Sequence, residues 1–391
     1  MQPVGALLHR TRPGLGLLPR KLRMNSHLPT WMQDAARLTR AGKLQEATQA
    51  LQRSLGLPDA AALRAWPGAS TGSAPAAPAP AGDMLDGYVT ELPRAPATAP
   101  PERPQPSSGG ISTGRFSQGG RTLDYRLFLP TGAGEAPPPL VVMLHGCTQN
   151  PEDFAAGTGM DARAQARGCA VLYPAQDAQA HPQRCWNWFK HNHQQRGRGE
   201  PALLAALAQS VVRQHALDPR RVYVAGLSAG GAMAAILGQT YPDVFAAAGV
   251  HSGLAQGTAR DAMSALQAMR TGTGPAARAP SPAARTVPTI VFHGDADATV
   301  HPDHGDHVMA AARPAGGPTP TVEKGRSPAG RAWTVTRHPD AEGRSQAEYW
   351  QIHGGGHAWA GGHSAGTYTD PSGPDASGEM LRFFLSHRSV G

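Results

Sequence analysis

The sequence predicts an α/β fold, a mostly parallel sheet covered by helices on both faces, with an N-terminal helical hairpin and a Pro/Ala-rich linker ahead of it. Short, almost uninterrupted apolar runs such as Leu140–Leu144 and Val222–Ala225 alternate with stretches of helical length from residue 110 onward. Strands that lack polar alternation are buried on both faces, the condition of a parallel sheet between helical layers. A run dominated by Ala, Pro, Ser and Gly from Pro67 to about Gly110 separates that region from residues 30–56, whose apolar positions recur at helical spacing.

Taken in order, residues 1–29 carry no packing pattern and are expected to be disordered. Five basic side chains and no acid among the first 23 resemble the start of a secretory signal, but Gly14–Leu18, closed by Pro13 and Pro19, is too short for its apolar run. Met24 is an alternative start. A cytoplasmic location is therefore expected. Thr30, with Gln33 three residues on, caps a first helix; a second, with Leu44, Ala47, Leu51 and Leu55 on one face, follows Gly42. This hairpin over 30–56 resembles half of a helical repeat and is a candidate contact for another protein or a granule. Residues 57–109 form the linker, and residues 110–388 the main domain.

Within that domain the expected strands are Leu123–Leu129, Leu140–Leu144, Ala170–Tyr173, Val222–Ala225, Phe245–Val250, Thr289–Phe292, Trp333–Thr336 and Glu348–Ile352. The expected helices are Pro201–His215, Ala232–Gln239 and, last, Ala376–Ser386.

Composition excludes several functions. The net charge of +8 comes from scattered arginines without a run of five like charges, so nucleic acid is not an expected partner. No stretch approaches the ~18 apolar residues of a membrane span. Three cysteines are too few for a disulfide scaffold and lack zinc spacing; Cys169, in an apolar run, reads as core. His301, His304 and His307 drift around a helix at spacings of three with no carboxylate set beside them, and no metal or cofactor is expected.

The pattern G-x-S-x-G occurs four times, around Ser70, Ser112, Ser228 and Ser364. Acyl-transfer chemistry needs a tight strand-to-helix turn, in which the serine hydroxyl projects and the next N–H faces a developing oxyanion. Ser70 and Ser112 lie in or beside the linker, and Ser364 stands between glycines and a polar stretch. Ser228 alone follows an apolar strand and opens a helix, so it is the candidate nucleophile.

A serine hydroxyl needs a histidine to take its proton and a carboxylate to hold that histidine. The strand Thr289–Phe292 runs into His293-Gly294-Asp295-Ala296-Asp297, and Asp297 is the candidate acid, with Asp295 as the alternative. The strand Glu348–Ile352 runs into His353-Gly354-Gly355-Gly356-His357, where the glycines free His357 to act as base, His353 being still within or capping the strand. The order Ser, acid, His is that of the α/β-hydrolase fold. The strand Leu140–Leu144 ends at His145-Gly146-Cys147, so the backbone N–H groups of Cys147 and Ala229 are the candidate oxyanion hole, and His145 reads as a structural hydrogen-bonding residue.

Four blocks, His145-Gly146-Cys147-Thr148-Gln149, Cys185-Trp186-Asn187-Trp188-Phe189, Gly226-Leu227-Ser228-Ala229-Gly230-Gly231-Ala232-Met233 and Gly355-Gly356-His357-Ala358-Trp359, together resemble the poly(3-hydroxybutyrate) depolymerase-type esterases over about residues 110–388. The resemblance implies hydrolysis of polyhydroxyalkanoates or their oligomers, or alternatively of feruloyl or acetyl esters on plant polysaccharide. Many members are extracellular, which is the alternative location. A non-catalytic granule- or protein-binding factor with a vestigial hydrolase domain is the competing class; the intact set of Ser228, Asp297 and His357 argues against it. Trp186 and Trp188, which share a face if extended, and Trp359 are candidate substrate contacts, with core packing as the plainer alternative. A disulfide between Cys147 and Cys185 is a further expectation.

Overall fold

The computed structural model describes residues 109–389 except 133, 135, 274–286 and 314–317. The hairpin over 30–56 and nearly all of the linker lie outside the described residues, which belong to the second of two units, Ala97–Gly391.

Ten strands form one sheet in the order β1-β2-β4-β3-β5-β6-β7-β10-β9-β8. They are β1 (Gly110–Gln118), β2 (Arg121–Leu129), β3 (Leu140–Leu144), β4 (Ala170–Pro174), β5 (Val222–Leu227), β6 (Ala247–His251), β7 (Thr289–Gly294), β8 (Thr321–Arg326), β9 (Ala332–Pro339) and β10 (Ser345–Ile352). The centre, from β4 through β3, β5, β6 and β7 to β10, is parallel, while β1, β2, β9 and β8 close the two edges antiparallel. The helices are α1 (Pro151–Thr158), α2 (Met160–Arg167), α3 (Gly199–Gln214), α4 (Ala229–Thr240), α5 (Ala262–Thr271), α6 (Asp303–Ala312) and α7 (Ala376–Leu385). A small parallel pair, β11 (Trp359–Ala360) and β12 (Thr369–Asp370), stands apart from the sheet.

The two-residue side-chain period of the central strands sorts the core into two layers. Val142 and Leu144 of β3 and Val222 and Val224 of β5 pack with Leu204, Leu207, Met233 and Ile236 from α3 and α4. Their neighbours Val141, Met143, Tyr223 and Ala225 pack on the other face with Phe154, Ala164, Met380 and Phe383 from α1, α2 and α7. This double burial is why those strands read as continuous apolar runs.

Several elements carry no such signal. β1 is largely exposed and rich in Ser, Thr and Gly, so its pattern merges with the linker; Ser112 sits in this edge strand, paired with Leu127. The solvent-facing β8 is similarly polar.

Close approach at the centre depends on glycine. A Cβ on Gly230 would collide with the carbonyl of Leu144, and one on Gly231 would lie 2.9 Å from the His251 oxygen, backbone atoms that cannot swing away. Gly230→Ala is expected to cost about 1–3 kcal/mol in urea unfolding; an unchanged midpoint would show that the turn has room to relax.

Candidate active site

Parallel strands deliver their C-terminal ends to one edge of the sheet, the position where open α/β sheets bind ligands. Leu144 pairs with Gly226, Leu227 with His251, His251 with Phe292, and Gly294 with Ile352. The loops leaving β3, β5, β7 and β10, which carry the expected site residues, therefore start side by side.

Ser228 connects β5 to α4 at φ 58° and ψ −118°, a region that L-residues adopt at a cost. Its N–H donates to the carbonyl of His251 at 2.9 Å. Its hydroxyl makes no capping bond to the helix it precedes. Ala229 opens α4, so its N–H is one of those a helix start leaves without an intrahelical acceptor, at the positive end of the helix dipole. The α-carbon of Gly146 abuts this turn, since a Cβ built there would lie 3.7 Å from Ser228 Cβ.

The orientation of the Gly146–Cys147 peptide is fixed from behind. The N–H of Gln176 donates to His145 Nε2 at 3.1 Å, so the proton of this buried imidazole is on Nδ1, which donates to the Gly146 carbonyl at 2.8 Å. A trans peptide points its N–H away from its carbonyl, so holding the Gly146 oxygen also fixes the direction of the Cys147 N–H. Burial pushes the His145 pKa down from 6.5 to about 4, and it stays neutral. The Cys147–Cys185 disulfide ties the same loop to the Trp-rich segment. The side-chain amide of Gln176 donates to the carbonyl of Cys185 at 2.9 Å and to Glu200 Oε1 at 2.8 Å.

On the opposite side, His357 Nδ1 donates to Asp297 Oδ2 at 2.7 Å, and Asp297 Oδ1 accepts the N–H groups of Thr299 and Val300, both at 2.9 Å. Burial alone would raise the Asp297 pKa. The hydrogen bond and charge of His357, with the two backbone donors, outweigh it and hold the carboxylate below its ordinary range. The alternative acid, Asp295, is engaged in a second and more exposed pair, where its carboxylate meets His353 Nδ1 at 2.9 Å and the Gly354 N–H at 2.6 Å. Side-chain exposure separates the pairs, at 12% and 0% for His357 and Asp297 against 39% and 35% for His353 and Asp295.

The three tryptophans do not form an exposed surface, which corrects the expectation of substrate contacts. Trp186, Trp188 and Trp359 are 0%, 5% and 1% exposed. The Cys185–Phe189 segment ends in a turn, where the Lys190 N–H donates to the Asn187 carbonyl. The N–H and side-chain amide of Asn187 both donate to the buried Glu200 carboxylate, and Trp186 and Trp188 on either side of it lie in the same apolar cluster of the core. Trp359 points inward too, where its Nε1 donates to Ser377 Oγ at 3.0 Å. His304 is buried and bonded to the Ala268 carbonyl, and no group of metal-ligand type occurs among the described residues.

His251 and the Gln176–Glu200 pair were not singled out from sequence. His251 Nε2 accepts the Ala360 N–H at 3.0 Å, three residues beyond His357, while its carbonyl holds Ser228. One signal is that four of the segments with strand character run into a histidine, His145, His251, His293 and His353.

Sheet order, the strained strand-to-helix serine and the loops at the parallel strand ends define an α/β-hydrolase fold. An acetyl xylan esterase from Aspergillus awamori superposes with TM-score 0.54 at 18% identity over 70% of this chain and 99% of that one. The family model for Esterase PHB depolymerase matches residues 123–315. Poly(3-hydroxyalkanoate) depolymerase C of Paucimonas lemoignei is 36% identical over 173 residues, 42% of each chain. Feruloyl esterase B of Thermothelomyces thermophilus is 35% identical over 129 residues, 33% of this chain and 43% of that protein. The chain belongs to the poly(3-hydroxybutyrate) depolymerase-type esterase family, and it spans less than half the length of these two relatives.

Two measurements check this site. With Cys147 bonded to Cys185 and Cys169 free, denatured protein is expected to show one reactive thiol before reduction and three after; three in both would exclude the bond. His145 and His251 stay neutral when folded, with pKa values near 4 and 3, but protonate near 6.5 when unfolded. The unfolded chain therefore takes up protons first as pH falls, and each histidine removes about 1.4 kcal/mol of stability per pH unit below ~6.5. Urea unfolding at pH 7, 6 and 5 reads this loss, and a flat profile would contradict it.

Proposed function

We propose that the chain is a serine esterase in which Ser228 attacks an ester carbonyl, His357 takes the serine proton and returns it to the leaving alcohol, and Asp297 holds His357 in the required tautomer. The N–H groups of Cys147 and Ala229 receive the oxyanion of the tetrahedral intermediate, and water, activated by His357, releases the acid. The observation that carries this proposal is the buried pair of His357 and Asp297. Its Nδ1–H bond leaves Nε2 as the basic nitrogen, on a loop at the same sheet edge as the strained serine. No cofactor enters these steps.

The favoured substrates are 3-hydroxybutyrate polyester or hydroxyalkanoate oligomers, a choice supported by family membership and by the named activity of the Paucimonas relative. Feruloyl esters are the second reading, favoured by the Thermothelomyces relative. Contact with a granule or protein through residues 30–56 belongs to the same proposal and is tested by deleting residues 1–108 and measuring recovery with polymer particles. The Cys147–Cys185 bond favours the extracellular over the cytoplasmic location, because disulfides persist in oxidising compartments.

Ser228→Ala and Asp297→Asn are each expected to lower kcat by about 10³-fold or more with the fold retained by circular dichroism. Near-normal turnover of either variant would remove that residue from the mechanism. Among 3-hydroxybutyrate oligomers, polymer and methyl ferulate, the oligomers are expected to give the highest kcat/KM; a preference for the ferulate would select the second reading.

A further inference from the structure

With Trp186, Trp188 and Trp359 buried, the exposed aromatic beside the site among the described residues is Tyr368, at 47% exposure. Two hydrogen bonds suspend it between the loops that flank Ser228. Its carbonyl accepts the Trp359 N–H at 2.7 Å, two residues beyond His357. Its hydroxyl meets Thr148 Oγ1 at 3.1 Å, and that hydroxyl in turn donates to the Cys147 carbonyl at 2.6 Å. Both partners hold positive φ, 52° at Tyr368 and 66° at Thr148, a conformation that glycine would adopt without strain. An exposed hydroxyl pair contributes little to stability, so folding alone does not account for a large side chain kept in this conformation. Non-glycine residues held there cluster where geometry serves a site.

We infer that Tyr368 walls the substrate cleft between the histidine loop and the Cys147 loop, and that its ring contacts the leaving alcohol of the ester. The inference rests on the esterase mechanism proposed above. His357 protonates the leaving oxygen, so the alcohol departs on the histidine side, where the Tyr368 backbone is bonded. The ring offers an apolar face to a carbon substituent on that alcohol, such as the branched carbinol of a 3-hydroxyalkanoate unit or an aryl group.

The test compares benzyl acetate with ethyl acetate, which share an acyl group and differ in the alcohol, in the wild type, Tyr368→Phe and Tyr368→Gly. Tyr368→Gly is expected to raise KM for benzyl acetate about threefold to tenfold, with a smaller rise for ethyl acetate. Tyr368→Phe, which keeps the ring, raises it less. Because glycine relieves the backbone, the melting temperature of Tyr368→Gly is expected not to fall, whereas a purely structural tyrosine would lower it. Equal KM changes for the two esters, unchanged KM for both, or a lowered melting temperature would overturn the assignment. An NMR titration of Ser228→Ala with benzyl acetate, with and without Tyr368→Gly, reads the contact without turnover. Lack of wild-type turnover would count against the esterase mechanism, while loss or retention of binding in the titration still decides the role of Tyr368.

Discussion

The backbone carbonyl of His251 receives the N–H of Ser228, and its ring nitrogen receives the N–H of Ala360, so one residue at the end of β6 ties the serine turn to the loop that carries His357. The second bond exists only while Nε2 has a lone pair. Its proton therefore resides on Nδ1, facing Ser252 Oγ at 3.2 Å. Protonation of Nε2 would set a donor against the Ala360 N–H. The surroundings prevent it, because the ring is fully buried and stacked on Phe292 and on Trp359, at centroid distances of 5.7 Å and 5.1 Å, and burial lowers its pKa to about 3. Trp359 thus serves the site from behind, keeping His251 dry and neutral.

Around that tie the chain tolerates conformations it avoids elsewhere. Six non-glycine residues among those described have positive φ, and five of them, Thr148, Arg184, Ser228, Ser252 and Tyr368, lie in or next to the loops discussed; only Ala216 is remote. Such angles persist when surrounding bonds over-determine them. The Thr148 N–H donates to the Gln183 carbonyl, the disulfide fixes Cys147 against Cys185, and Gln176 and Glu200 hold the segment beyond. Glu200 is buried, yet its pKa is lowered. The desolvation that would raise it is outweighed by His193, Asn187 and Gln176, so the carboxylate can remain charged as the hub of that scaffold.

How much of this was legible in the sequence follows from where each signal resides. Doubly buried strands announce themselves by composition, so β3 to β7 are expected within a few residues of where they stand, and with them the strand-to-helix turn at Ser228. Edge strands carry no such mark; β1 and β8 are polar because one side faces water. The tryptophans show the limit of local reasoning. An extended Cys185–Phe189 would present an aromatic face, but local spacing does not say whether that face meets solvent or core, and here Asn187 is anchored to Glu200, a helical residue 13 positions on, with both indoles buried. Long-range polar contacts of this kind, like the bond from His251 to Ala360, leave no periodicity to read.

The two neighbouring Asp–His pairs are the clearest case in which composition leaves alike what packing distinguishes. Asp295 and Asp297 stand two apart and His353 and His357 four apart, and each carboxylate binds one imidazole through Nδ1. Chemically the pairs are alike. In the outer one, His353 Nε2 is already bonded to Thr334 Oγ1 at 2.8 Å, and Asp295 also takes the Gly354 N–H, so the pair anchors the start of the glycine loop. The inner pair lies where water is scarce and charge interactions are little screened, which strengthens the hold of Asp297 on His357. Spacing leaves the pairs equivalent, and the difference arises from the loop itself: the bonds of Asp295 to His353 and Gly354 anchor its first turn where side chains stay partly exposed, and His357, four residues on, meets the buried Asp297.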